Sequence, residues 1–463
     1  MIPWIACLAL ADEVEELPPS PPEGDAQEAP AAEEQAEVPP EAPDEGWSHT
    51  VLPNGLELTV LADPLLPVTA TQTWVHVGSA HEKPDQFGFA HLFEHMMFGA
   101  TTSRPRGAYA RFHTRVGGRR NAYTTFDETT YVSAVPPQHH DTVLLMEADR
   151  FAHLVIDEEG MAKDREIVTE ELRMRSENRA EDRLVQAFIR ELLDGHPYAH
   201  TPLGTKEDIA AATVEHARAF YEAYYRPDHL HLIVVGPVDR EAILARVEEL
   251  YGAMAPSGVA VPEVPALTDI ELPERLKMTE KIPPVLGVGL AYPLPPRAHP
   301  DALAISVMAQ MLTGSELDVF RERYLQDANA LEAATVHQQL KEGGILGFAS
   351  VHLPTANGGR RLRKLHRIIE GLSDGDWITQ EALDAVRRQV LMSEYFTVYY
   401  AESQAHRIGQ ARWHFGEVRR AFDRTERLAE LTTDDIARVW TTWVEEVTPS
   451  EVIVRRGKAQ EVE

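Results

Sequence analysis

The stretch GFAHLFEHMMFGAT, residues 88–101, decides the fold prediction because it combines helical periodicity with metal-ligating side chains. Its apolar residues recur at helical spacing, and Gly99 is typical of a position just beyond a helix end. On such a helix, residues three and four apart share one face, so His91 and His95 lie one turn apart with Glu94 beside them. This H-x-x-E-H order is the inverse of the common H-E-x-x-H zinc motif.

The motif predicts a catalytic zinc centre in which Glu94 acts on a water molecule without being a ligand. Two histidines and one carboxylate, with an open fourth position, are typical of catalytic rather than structural zinc sites. A third ligand is therefore needed. The helical stretch DREIVTEELRMR, residues 164–175, offers Glu170 and Glu171.

Helical periodicity separates these two glutamates. At about 100° per residue, Glu171 shares a stripe that we expect to pack inward. The other members of that stripe are Asp164, Ile167, Val168 and Met174. Glu170 falls on a charged, solvated face. A carboxylate on an apolar stripe is costly unless a cation pairs with it, and zinc would supply that charge. We therefore predict Glu171 as the third ligand and keep Glu170 as the alternative.

Composition limits the class of protein. A chain of 463 residues with 43% hydrophobic and 25% charged residues is typical of a globular protein of two to four domains. The net charge of -30 argues against nucleic-acid binding, which needs clustered Lys and Arg, and suits a basic or neutral ligand. Cys7 is the single cysteine, so a disulfide and a thiolate metal site are both excluded.

Residues 1–46 are interpreted as a truncated export signal or lipobox followed by a disordered tether. Ile5-Ala6-Cys7 resembles the end of a lipoprotein box, and Ala9-Leu10-Ala11 resembles a signal-peptidase site. From Asp12 to Glu45 there are thirteen acidic residues and no basic one, in a Pro- and Ala-rich context. We expect a periplasmic protein, lipid-anchored through Cys7, with a cytoplasmic location and an acidic interaction tail as alternatives. No transmembrane span is predicted, because no segment has the necessary run of apolar residues.

The order of strand and helix patterns occurs twice. Residues 47–256 predict an N-terminal catalytic zinc-binding domain that opens with a hairpin at Asn54-Gly55 and includes one long helical pattern from about 158 to 193. The Pro-punctuated residues 257–275 predict a linker. Residues 276–463 repeat the order weakly, which predicts a C-terminal pseudo-repeat domain without the metal motif. We therefore expect an α+β fold of two similar halves, each a mainly antiparallel sheet with helices packed on one side.

These features resemble the pitrilysin/insulinase family of zinc peptidases, which includes the mitochondrial processing peptidase and its bacterial relatives. The resemblance covers nearly all of the chain after about Trp47. The separation of 76 positions between His95 and Glu171 (171 less 95) matches the family's spacing to its distal glutamate. Asp164 stands where the family usually has a second glutamate that orients the site. The resemblance implies a metalloendopeptidase with one Zn²⁺ per chain that cleaves unfolded peptides in a chamber between two halves or subunits.

A second resemblance concerns substrate binding. The segment from Gly117-Gly118 to Thr124 is similar to the family's edge strand, which pairs with the backbone of the peptide substrate. This implies substrate contacts for Asn121, Ala122, Tyr123 and Thr124. A buried strand is the alternative interpretation, because alternation alone does not separate the two.

The second half departs from the family pattern. Active members usually carry, after a Gly-rich turn, an Arg and, seven residues on, a Tyr that hold the scissile carbonyl and the substrate backbone. Here residues 311–315 stand for the turn and Arg321 or Arg323 for the Arg, but positions 328 and 330 are both alanine. Tyr324 is too close to either Arg and is interpreted as a half-buried helical aromatic.

The missing Tyr predicts a partner. We expect the chain to be the metal-bearing subunit of a heterodimer whose second, homologous subunit lacks the metal motif and supplies the Arg and Tyr; a homodimer is the alternative. The alternative function is a non-catalytic, zinc-binding assembly subunit of the same fold.

Overall fold

The computed structural model describes residues 46–176, 180–280, 285–313, 319–328 and 330–456. The predicted export signal and tether therefore lie outside the described residues, apart from Gly46. Gly314 and Ser315, in the turn compared with the family's Gly-rich turn, also lie outside them.

The described residues form eleven strands and fifteen α-helices. The strands are β1 Trp47–Val51, β2 Glu57–Ala62, β3 Thr69–Val75, β4 Arg119–Thr124, β5 Thr129–Val135, β6 Leu230–Gly236, β7 Arg275–Glu280, β8 Leu286–Leu294, β9 Glu332–Leu340, β10 Gly343–His352 and β11 Ser450–Arg456. The helices are α1 Phe89–Met96, α2 Ala108–Val116, α3 His140–His153, α4 Glu158–Ser176, α5 Ala180–Leu192, α6 Lys206–Ala211, α7 Val214–Tyr224, α8 Arg240–Tyr251, α9 Ala302–Thr313, α10 Val319–Ala328, α11 Gly358–Leu372, α12 Gln380–Val398, α13 Ala401–Phe415, α14 Arg424–Glu430 and α15 Thr433–Trp440.

The strands form two sheets with related topologies. The first has the order β1-β2-β6-β3-β5-β4 and the second β7-β11-β8-β10-β9. Each contains one parallel pair, β2 with β6 and β7 with β11, and is otherwise antiparallel. The predicted α+β fold of two similar halves is confirmed. In the first sheet, β4 is an edge strand.

Local sequence explains the first hairpin. β1 and β2 pair antiparallel with Val51 opposite Glu57, around a turn in which Gly55 has a φ of 90°. Glycine adopts this left-handed conformation without steric cost, so the Asn54-Gly55 prediction is confirmed. Along β2, Leu58 and Val60 are buried against the helical layer. The hairpin thus joins the core that supports α1.

Each sheet has its own helices on one face and a helix from the other half on the opposite face. One face of the first sheet packs on α1, α3, α4, α7 and α8. Its other face packs on α13, where Ala401, Ala405 and Ile408 meet Trp74 and Ile233. Conversely, α5 lies on the second sheet, with apolar side chains against β7, β8, β10 and β11. The two halves therefore exchange one helix each.

The contact between α13 and the first sheet is close. At Gly409, an added Cβ would lie 2.0 Å from the indole of Trp74, so only glycine fits. Tyr123 Oη and His406 Nδ1 lie 2.7 Å apart and connect β4 to α13. Burial, together with the charge of Arg297, lowers the pKa of His406 to about 4.

We expect acid to destabilise the protein through His406. An unfolded histidine takes up a proton near pH 6.5, whereas folded His406 stays neutral down to about pH 4. The unfolded state therefore binds more protons in this window. The free energy of unfolding should fall by about 2 kcal/mol between pH 7 and pH 5 from this one group. His406→Gln keeps a partner for Tyr123 but removes the titration, so urea unfolding of this variant should show a smaller loss over the same interval.

A matched control is His153→Gln, since the His153 side chain is 57% exposed. This variant should keep the pH dependence of the parent. If His406→Gln also keeps it, His406 does not contribute to the acid sensitivity.

Candidate metal centre

The N-terminus of α1 is anchored by a buried carboxylate. Glu82 accepts hydrogen bonds from the backbone N–H groups of Gly88 and Ala90, both at 2.7 Å. Burial raises the pKa of Glu82 well above its usual range, although these backbone hydrogen bonds oppose the shift. Gly88 has a φ of 90°, and a Cβ there would lie 2.7 Å from Leu203 O. Leu92 and Phe93 on the inner face are fully buried, so α1 is held both at its end and along its side.

Three potential ligands converge between α1 and α4. His91 Nε2 and His95 Nε2 lie 3.7 and 3.5 Å from Glu171 Oε2. One ligand atom from each residue lies within 4.8 Å of the other two. A tetrahedral zinc ion with bonds of about 2.0–2.2 Å separates its ligand atoms by about 3.4 Å. The spacing and the donor types therefore fit a single zinc ion.

The protonation states suit metal binding. Burial lowers the pKa of His91 to about 4, so its imidazole is neutral at pH 7. The hydrogen bond from His95 is the main cause of the lowered pKa of Glu171, whose Oε1 also lies 3.2 Å from Arg175. At His95, burial lowers the pKa, but Glu171 and Glu94 outweigh it and raise the value. Within the described part of the chain, the buried Nδ1 of His91 has no hydrogen-bond partner.

Glu94 lies beside these potential ligands but outside the three-donor group. Its carboxylate is buried, which raises its pKa to about 7. Thr124 Oγ1, at the end of β4, donates a hydrogen bond of 2.6 Å to Glu94 Oε2. A carboxylate whose pKa lies near the working pH is suited to exchange protons with water.

The two candidate glutamates occupy different environments. Glu170 is exposed and pairs with Arg173 at 2.7 Å, whereas Glu171 joins the histidines. The prediction that Ile167 and Met174 face inward is wrong, since they are 50% and 56% exposed. The buried stripe of α4 consists of Met161, Asp164, Val168 and Leu172. Ile167 and Met174 fall about 105–125° from its centre, which explains the error.

Asp164 is buried and lies two turns before Glu171 on α4. Both of its oxygens are bound by Arg106, one at 2.9 Å from Nη1 and the other by Nη2. Among the described residues it makes no hydrogen bond to His91 or His95. Its negative charge contributes to the raised pKa of His95. The orienting role expected for Asp164 therefore stays a prediction.

β4 has the exposure of an edge strand. Arg119, Arg120 and Asn121 are exposed, and Ala122, Tyr123 and Thr124 are half-buried. It pairs only with β5 in the described sheet. The alternative of a buried strand is therefore wrong. Thr124 donates a hydrogen bond to the carboxylate of Glu94, so the end of this strand lies next to the three potential metal ligands.

In the second half, other contacts involve the residues that were compared with the family's Arg and Tyr. Arg321 lies 3.2 Å from Glu332, and Arg323 pairs with Asp376. Tyr324 is fully buried rather than half-buried, with its hydroxyl 3.1 Å from His352 Nε2. Its place is in the core of the second half.

Three residues that contact the site were not predicted. Arg175 lies four residues after Glu171, so the ordinary i, i+4 rule could have identified it. Glu82 caps α1 from six to eight residues upstream, and Arg106 reaches Asp164 across 58 positions. No local pattern indicates the last two contacts.

Comparison with known proteins reveals family relationships. Residues 61–237 match the family described as insulinase (peptidase family M16), and residues 211–390 match the peptidase M16 inactive domain. The uncharacterized zinc protease YmxG of Bacillus subtilis is 26% identical over 377 residues, covering 77% of this chain and 86% of its own. The zinc protease PqqE of Helicobacter pylori is 26% identical over 341 residues, covering 73% and 76%.

Solved structures show the same fold. A protease from Helicobacter pylori has a TM-score of 0.79 at 22% identity, covering 88% of this chain and 99% of its own. The first half of the periplasmic protease PqqL from Escherichia coli has a TM-score of 0.68 at 20% identity, covering 89% and 92%. This chain matches 48% of the whole PqqL chain.

Within the described ranges, no helix combines the length and the hydrophobicity needed to cross a lipid bilayer.

Proposed function

Because this chain belongs to the insulinase/pitrilysin (M16) family of peptidases, we propose that it is a zinc metalloendopeptidase that cleaves unfolded peptides or protein segments. One observation carries the proposal: His91, His95 and Glu171 converge while Glu94, next to them, is bound to the exposed edge strand β4. Metal ligands, a base and a peptide-pairing edge thus occupy one place. Relatives named zinc proteases support the choice of metal.

The site residues would have different roles in peptide hydrolysis. His91, His95 and Glu171 would hold zinc, which supplies a Lewis acid and lowers the pKa of water to about 7. Glu94 would take the proton of the attacking water and return it to the leaving amine. The Thr124 hydroxyl holds the Glu94 carboxylate in place. The backbone of β4 would pair with an extended peptide, which explains a preference for unfolded substrates.

One zinc ion per chain is proposed. His49, Glu57 and His231 form a second group of possible ligands. However, Arg412 binds both oxygens of Glu57 at 2.6 Å, and the Thr59 hydroxyl lies 2.8 Å from both histidines. These hydrogen bonds and this ion pair explain why the three side chains lie close together without a metal ion.

Removal of zinc should abolish cleavage. We expect the purified chain to contain close to one zinc per molecule and to cleave an unfolded peptide, with loss of activity on dialysis against a chelator and recovery on stoichiometric zinc. Zinc content by atomic absorption and cleavage by mass spectrometry test this. A chain that binds zinc and cleaves nothing, alone or with a partner, favours the alternative of a non-catalytic assembly subunit.

The active assembly is proposed to contain a second subunit. Arg321, Arg323 and Tyr324 are engaged within the second half, so the oxyanion donor that the family uses is missing from their positions. A homologous chain without the metal motif would supply it, with a homodimer as the alternative. In fold, this chain corresponds to about half of PqqL, which supports an assembly of two such units.

A partner should raise activity strongly. Loss of one oxyanion donor typically costs about 10²–10³-fold in kcat, so the isolated chain should be slower than the complex by about this factor. The measurement compares kcat of the chain alone and with an equimolar homologous subunit that lacks H-x-x-E-H. If addition of the partner leaves kcat of the isolated chain unchanged, the two-chain proposal is contradicted.

Export to the periplasm is also proposed. It rests on the signal-like residues before the tether and agrees with the periplasmic origin of PqqL. Cys7, the proposed site of a lipid anchor, lies outside the described residues. Cell fractionation with and without a Cys7→Ser change tests both points.

A further inference from the structure

Positive charge is concentrated next to the proposed peptide-binding edge. The chain has a net charge of -30, yet residues 101–126 contain six arginines and no acidic residue. Arg104 and Arg106 have structural roles, since they pair with Asp149 and Asp164. The other four are exposed.

These four arginines form one exposed group, which we call the basic rim: Arg111, Arg115, Arg119 and Arg120. The first two lie on α2 and the last two on β4. The turn at Gly117, with a φ of 72°, connects the two elements directly. The rim therefore surrounds the beginning of the edge strand.

The fold does not account for three of the four rim arginines. Arg115 and Arg120 lie over the rings of Phe112 and Phe98, and Arg111 donates a hydrogen bond to a backbone carbonyl. For these three, no carboxylate of the described residues is within ion-pair distance. Like charges four residues apart, such as Arg111 and Arg115, destabilise a helix. A group of exposed guanidinium groups, three of them without a carboxylate partner, suits a ligand that is negatively charged.

The register of β4 relates the rim to the reaction centre. Thr124 contacts Glu94, and Arg120 lies four residues earlier on the same strand. At about 3.3–3.4 Å per residue, the two positions are about 13 Å apart. A peptide that pairs with β4 residue by residue would place a side chain near Arg119 and Arg120 four to five residues from its scissile bond.

We propose that the basic rim is a subsite that selects peptides carrying Asp or Glu four to five residues from the scissile bond. Guanidinium and carboxylate groups form charge-assisted, often bidentate, hydrogen bonds, which gives the selection its chemistry. The proposal rests on the proposed function, because it uses β4 as the peptide-pairing strand. It also revises the expectation, drawn from net charge alone, of a basic or neutral ligand.

The test uses two unfolded peptides that differ only in Glu-Glu or Gln-Gln at these positions. Binding is measured by fluorescence anisotropy on zinc-loaded Glu94→Gln protein, and kcat/KM on the parent. One exposed ion pair contributes up to about fivefold, so we expect a preference of about five- to twentyfold for the acidic peptide in 50 mM salt. The preference should shrink in 500 mM salt, where the Debye length is about 4 Å.

Arg115→Gln/Arg120→Gln should reduce the preference, taken as the ratio of the values for the two peptides, to about twofold or less. Arg388→Gln, which removes one exposed arginine from α12, should keep the full preference. Equal dissociation constants for the two peptides in low salt overturn the subsite, whatever the cleavage assay gives. Failure of cleavage with zinc bound overturns the proposed function and leaves the binding ratio to decide the subsite.

Discussion

Glu94→Gln should lower kcat on an unfolded peptide by about 10²–10⁴-fold, the usual contribution of a general base, and leave zinc in place. Glutamine has the same shape and can still accept the hydrogen bond of Thr124, so the site should keep its geometry. It cannot take a proton from water. Because Glu94 lies outside the three-donor group, zinc content should remain at the parent value. Kinetics of peptide cleavage and atomic absorption measure the two effects separately.

The matched control is Glu159→Gln, which removes the same charge from a side chain that is 81% exposed. It should keep parental kcat and zinc content. If the Glu94→Gln protein is as active as the parent, another group deprotonates the attacking water. A Glu94→Gln protein without zinc would mean that Glu94 is itself a ligand.

Glu171→Gln should weaken zinc binding by more than about 100-fold, whereas Glu170→Gln should change it little. Even residues that only orient ligands contribute about 10–100-fold to metal affinity, so loss of a charged ligand costs more. The two glutamates are neighbours on α4 and undergo the same chemical change. Only Glu171 lies 3.5 Å from His95 Nε2, while Glu170 is bound to Arg173 on the surface.

Zinc affinity should be measured by competition with a chromophoric chelator, with unfolding curves as a check on folding. Parental zinc affinity in Glu171→Gln, or equal losses in the two variants, would contradict the assignment of Glu171. Loss in Glu170→Gln alone would transfer the role to its neighbour.

The parts of the site predicted from sequence are those set by local geometry. The positions of His91, Glu94 and His95 on one helix follow from the 3.6-residue period, and the hairpin follows from Asn54-Gly55. Glu171 was separated from Glu170 by the same period, although two supporting residues of its stripe are exposed. A sequence pattern thus predicts the structure where one short segment determines the local geometry.

Long-range contacts were not predicted. β11 lies between β7 and β8, although more than 150 positions separate it from either strand. The alternation of apolar and polar residues predicts neither this pairing nor strand β9. The helical pattern from about 158 to 193 predicts one element, and the structure has helix on both sides of residues 177–179, which lie outside the described residues. The pattern does not indicate that the two parts, α4 and α5, pack on different sheets. Such choices depend on which distant surface gives the better burial, and a local pattern contains no information about that surface.

The exchange of α5 and α13 makes the two halves interlocked. Each sheet depends on the other half to cover one of its apolar faces, as in a domain-swapped dimer joined by a covalent link. A proteolytic cut in residues 257–275 would therefore leave the two fragments associated. An isolated half would expose one apolar face of its sheet to solvent. Denaturation should involve both halves as one cooperative unit. A destabilising change in α13, far from H-x-x-E-H in sequence, is thus transmitted to the sheet that supports the proposed catalytic residues.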